Sequence, residues 1–66
     1  MTRVAAGGVY STLRQSILDG EITPGTRINI DAVSRRLGVS HTPVREALQR
    51  LEGDNLLMYY PSRGYS

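Results

Sequence analysis

From Val9 onward apolar residues return at helical spacing: Val9, Leu13 and Ile17 form one stripe, with Tyr10 and Leu18 beside it and Ser11, Arg14, Gln15 and Asp19 elsewhere. This period predicts a first helix from Val9 to near Asp19, with Gly20 as its stop signal. The segment Glu21 to Thr26 breaks the pattern. Its central Pro24-Gly25 presets a turn, because proline fixes one backbone angle and glycine accepts a positive one at the next residue. Arg27-Ile28-Asn29-Ile30 then alternates polar and apolar. That suits a short strand or an extended lead-in, and Asn29 can accept from the free amides that open a second helix. The second helix runs to about Leu37 with Ile30, Val33 and Leu37 inward, leaving Asp31, Arg35 and Arg36 to solvent or to a phosphate chain.

Gly38 supplies a left-handed stop and Val39 a plug between helices, so the chain turns sharply and starts a third helix at once. Either Ser40 or Thr42 serves as its cap, and Pro43 is tolerated because first-turn amides have no intrahelical partner to lose. Val44, Ala47, Leu48 and Leu51 form the buried stripe of this helix, while His41, Thr42, Arg45 and Gln49 fall on a separate polar face. Helix, tight turn and exposed polar helix start together make the unit that reads a DNA major groove. The third helix ends around Gly53-Asp54-Asn55. Leu56 to Tyr60 is then a continuous apolar and aromatic run of strand length, Pro61-Ser62-Arg63-Gly64 a turn, and Tyr65-Ser66 the start of a returning strand. The predicted fold is mainly α with a small β-hairpin: a winged helix-turn-helix of three helices plus a wing. It occupies residues 9 to 66, after a flexible lead-in over residues 1 to 8.

Composition narrows the function. At 66 residues without cysteine, most apolar side chains are committed to one small core, and no disulfide or thiolate metal site supplements it. No apolar run spans a bilayer and residues 1 to 8 lack the apolar stretch of a signal peptide, which points to the cytoplasm. The net charge is +2 and all eight basic residues are arginine, whose planar fork suits phosphate and guanine. His41 is the sole histidine, so a metal site would rest on carboxylates alone. Ser40 beside His41 does not make a nucleophile, since adjacent residues at a helix start cannot orient as a relay and no third group completes one. Neither an enzyme nor a cofactor is expected. Strand alternation would bury one of Tyr59 and Tyr60 and expose the other rather than build a base-stacking platform. Glu46 lies four residues before Arg50, the spacing of an intrahelical ion pair. Arg63 beside Gly64 at a hairpin tip lets backbone and guanidinium approach a phosphate or a narrow minor groove.

Three segments carry a family resemblance: Tyr10 to Gly25, Leu37 to Leu48, and the combination of Leu51-Glu52, Leu56-Leu57 and Pro61-Ser62-Arg63-Gly64. With the run Val-Ser-x-Thr-Pro-Val-Arg-Glu-Ala-Leu over Val39 to Leu48, the chain resembles the winged-helix domain of GntR-type bacterial transcriptional regulators. It is most similar to the branch whose helical C-terminal domain binds small metabolites. The resemblance implies a homodimeric repressor or activator on a palindromic double-stranded operator, with recognition helices in successive major grooves and wing tips at the minor groove. It places Ser40, Thr42 and Arg45 against the operator, Asp31 and Arg35 at phosphate or flank contacts, and Arg63 with Gly64 at the wing tip. His41 stands where the family usually carries arginine, exchanging a strong guanine contact for a shorter, weaker or pH-dependent one. Asn55 replaces a usual glycine at a left-handed position. Family members continue into an effector and dimerisation domain, so this chain reads as the DNA-binding fragment of a longer regulator. The rival reading is a winged helix that docks a protein partner through helix three or a strand edge.

Overall fold

Three amphipathic segments and one short hairpin account for the architecture. The computed structural model describes residues 8–66, and the expected flexible lead-in lies outside them except for Gly8, which sits at the cap of the first helix. Helix α1 spans Val9–Leu18, α2 Ile30–Leu37 and α3 His41–Gly53; β1, Tyr59–Tyr60, and β2, Gly64–Tyr65, complete the chain. Mainly α with a two-stranded antiparallel wing, this is the winged helix-turn-helix the sequence predicts.

The core forms where α1 and α2 pack on α3. Val44, Leu48 and Leu51 are fully buried on α3, with Ala47 beside them, and they meet Val9, Leu13, Leu37, Ile28 and Leu57. Burying a leucine or valine contributes about 1.5–3 kcal/mol, so this cluster supplies the main drive for folding. Leu18 departs from the predicted stripe: it is 54% exposed, because the helix ends there and the chain turns away. The turn places Thr23 O against the Thr26 amide at 3.1 Å, with Gly25 at φ +82° as the Pro-Gly pair requires.

The lead into α2 is extended rather than a strand, and one bond secures it: the Ile28 amide donates to Tyr65 O at 2.9 Å. Asn29 caps α2, its Oδ1 accepting from the Ala32 amide at 3.0 Å. Asn29→Ala removes that acceptor, and its urea midpoint should fall by the equivalent of about 1 kcal/mol, with Asn29→Asp close to the parent. Gly38 ends α2 at φ +72°, and its amide and that of Val39 both reach Ser34 O.

Ser40 occupies the cap position of α3 but its side chain makes no cap bond; Thr42 lies inside the first turn. Position thus makes Ser40 the cap, without a side-chain hydrogen bond to the first-turn amides. Helix α3 closes at Gly53, and Asn55 takes the left-handed conformation at φ +63°.

Beyond it the predicted five-residue strand is shorter. Only Tyr59–Tyr60 pair as β1, in register Tyr59↔Tyr65 and Tyr60↔Gly64, and reciprocal bonds between Met58 and Ser66 extend the ladder. Leu57 turns into the core before the hairpin begins. Both Tyr59 and Tyr60 are exposed, correcting the expectation that one is buried, because the described hairpin has no second layer over it. Tyr59 instead leans on Tyr65, their ring centroids 5.0 Å apart.

Arg50 also differs from the local rule. It lies 3.9 Å from the Tyr10 ring centroid rather than pairing with Glu46, because packing of α1 on α3 brings an aromatic face within reach. The Tyr10 hydroxyl donates to Asp54 Oδ2. That bond is the first cause holding its pKa above the ordinary value.

Candidate nucleic-acid interface

Two chemistries share α3 because its thirteen residues give it nearly four turns. With Val44, Ala47, Leu48 and Leu51 turned inward, the helical period turns His41, Thr42, Arg45 and Gln49 outward, and all four are exposed. The three-residue turn Gly38 to Ser40 keeps the start of α3 close to α2.

A concavity of about 910 Å³ lies between α3, the start of α2 and the wing. Among the expected residues it gathers His41, Arg45 and Gln49 from α3, Asp31 from α2, and Arg63 with Gly64 from the hairpin. Ser40, Thr42 and Arg35 are exposed but lie outside its lining. Arg63 sits in the hairpin turn, where its amide donates to Tyr60 O at 2.9 Å, and Gly64 follows at φ +81°. A left-handed residue there favours glycine, which lets the chain reverse within so few positions.

Asp31 organises the side chains on this face. Its Oδ2 accepts from Arg35 Nη2 at 3.0 Å, one helical turn along, and its Oδ1 accepts from His41 Nε2 at 3.2 Å across the helix-turn-helix. All three side chains are well exposed, so the cluster adds little stability and acts on orientation instead. Since a carboxylate only accepts, this bond requires a proton on His41 Nε2, leaving Nδ1 as the remaining polar atom of the ring.

Arg45 and Arg63 have no acidic partner among the described residues. Their charges remain available in a space whose one acid is already engaged twice. Tyr65, at the same site, has its pKa raised by burial first and then by Glu52 and Tyr59, so its hydroxyl stays protonated at neutral pH.

The lining also includes residues the sequence reading did not assign to the site, Arg27, Tyr59 and Tyr65 among them. The signal for Arg27 was present: it alternates with Ile28, and a buried isoleucine in extended chain turns its neighbour outward. Groups of three or more potential metal ligands are absent among the described residues.

Comparison with known proteins gives a consistent result. The profile of the family described as "Bacterial regulatory proteins, gntR family" matches residues 5–66. The chain is 40% identical over 57 residues to the HTH-type transcriptional regulator YdhC of Bacillus subtilis (strain 168), covering 86% of this chain and 25% of that protein. It is 41% identical over 56 residues to the HTH-type transcriptional repressor RspR of Escherichia coli (strain K12), covering 85% and 25%. Its fold matches the crystal structure of a GntR family transcriptional regulator from Pseudomonas syringae pv. tomato str. DC3000 with a TM-score of 0.81. The sequences there are 32% identical, over 97% of this chain and 30% of that one. The chain therefore spans about a quarter of the length of the curated relatives it matches.

Proposed function

Because this chain belongs to the gntR family of bacterial regulatory proteins, we propose that it binds double-stranded DNA sequence-specifically as the reading head of a longer transcription regulator. Helix α3 enters the major groove, where Arg45, Thr42, His41 and Gln49 face base edges or adjoining phosphates. Ser40 and Arg35 fix the register on the backbone. Arg63 and Gly64 carry the wing to the minor groove. Asp31 serves by orientation: a carboxylate repels phosphate, and both its oxygens are engaged by Arg35 and His41.

One observation carries the reading. His41, Arg45 and Gln49 of α3 and the wing-tip pair Arg63 and Gly64 line a single concavity, where Arg45 and Arg63 have no acidic partner among the described residues. A protein partner docked on the outward face of α3 would need aromatic or aliphatic anchors at its centre, and that face is polar, the aromatic Tyr59 and Tyr65 of the cleft lying on the hairpin.

In the full-length regulator two such heads form a homodimer on a palindromic operator, and a small-molecule effector acts through the C-terminal domain in the cytoplasm. The name of RspR, a repressor, supports repression as the mode of action. Linking two heads raises avidity with no new contact, so the single head binds weakly.

A salt titration of duplex binding tests the reading. The logarithm of the association constant should fall linearly with the logarithm of salt concentration, by about 0.9 for each phosphate neutralised. No duplex binding at low salt, or binding without that slope, would contradict the reading.

A further inference from the structure

A protein that sets a helix in the major groove and a hairpin tip at the neighbouring minor groove straddles the sugar-phosphate strand between the two. The straddling surface here is the concavity between α3 and the wing, and the extended segment before α2 borders it. That segment is tied to the wing through the Ile28 amide on Tyr65 O. Neighbours in extended chain point to opposite faces, so burial of Ile28 presents Arg27 to solvent. Arg27 thus joins Arg45 of α3 and Arg63 of the hairpin turn, bringing three guanidinium groups from three separate elements to one concave space. None of the three has an acidic partner among the described residues, and the acid nearby, Asp31, is held by Arg35 and His41.

We infer that Arg27 is a phosphate anchor, gripping the phosphodiester strand straddled by α3 and the wing and taking no part in base reading. The inference rests on the duplex-binding reading and adds a binding residue to it. Its planar fork matches two phosphate oxygens, and the bond to β2 couples its position to that of the wing. A contact to phosphate is blind to sequence, so its loss weakens every duplex alike.

The test compares the 66-residue chain with its Arg27→Ala, Arg27→Gln and Arg27→Lys variants. Each is titrated at several salt concentrations with a mixed-sequence duplex and with the duplex the parent prefers. Arg27→Ala should bind both duplexes about tenfold more weakly, the effect of losing one charge-assisted bond. Its salt slope should be shallower by about 0.9, the share of one phosphate. Arg27→Lys should keep the slope, and Arg27→Gln should repeat the alanine result should alanine disturb folding. An unchanged slope and affinity in Arg27→Ala and Arg27→Gln, with the parent still binding, overturns this inference alone. A loss confined to the preferred duplex overturns it too, by making Arg27 a base contact. Absence of duplex binding by the parent overturns the underlying reading as well.

Discussion

Leu48→Ala is expected to leave the domain largely unfolded at physiological temperature. Leu48 is fully buried on α3 among Val44, Leu51 and the side chains of α1. Truncating such a leucine costs about 2–5 kcal/mol through lost burial and the cavity left behind. A single core in a domain this small supplies roughly 3–5 kcal/mol of net stability, so the change consumes most of it. Urea or thermal melts followed by helical circular dichroism check this. Leu18→Ala is the control: it removes a leucine of the same size from a site 54% exposed, and should stay within about 0.5 kcal/mol of the parent. A Leu48→Ala protein melting like its parent would mean that α3 does not form the core. Because Leu48 and Arg45 ride on one helix, loss of the inner face also removes the outer one, and DNA binding fails with the fold.

Arg45→Ala should do the opposite, sparing the fold and impairing recognition. Its side chain is exposed, lines the concavity and pairs with no acid among the described residues. Its removal leaves the melting curve within about 0.5 kcal/mol of the parent, as for surface substitutions generally. Binding to the preferred duplex should weaken by about 1–3 kcal/mol, the value of one good bidentate base contact. Binding to mixed-sequence DNA should change much less. An equal loss on both would reassign Arg45 to the phosphate backbone. Arg45 and Arg27 therefore share a cleft and separate by experiment, one altering discrimination and the other the salt slope.

The parts of the fold that follow from local chemistry are legible in the chain. Helical spacing alone identifies Val44, Ala47, Leu48 and Leu51 as the buried face of α3, and each is buried. Asn29 is a cap, and Gly38 and Asn55 take positive φ, as their chemistry suggests. What the sequence does not disclose depends on contacts between distant segments. Ser34 is buried although polar, because α2 packs on α3, and its hydroxyl is satisfied locally by donating to Asp31 O. Glu46 and Arg50 have the right spacing to pair, yet Arg50 lies on the Tyr10 ring, forty residues away in the chain and adjacent in space.

The site follows the same division. The exposed polar face of α3 is visible in its period, whereas its relation to other elements is not. Two links needed tertiary packing to appear: the His41 bond to Asp31, and the arrival of Arg27 beside the wing through Ile28. The first gives the single histidine a partner that its neighbours in sequence do not supply. The second converts an alternating dipeptide into a charged border for the cleft.

Selection of bound duplexes from a random pool, run in parallel on dimerised forms of the parent and of Arg45→Ala, tests most directly whether the outward face of α3 reads base edges. The parent should enrich a palindrome with a fixed half-site spacing, and Arg45→Ala should lose the preference at one symmetric pair of positions while keeping the rest. A pool that remains random with the parent, or an identical enriched sequence with both proteins, would contradict the account.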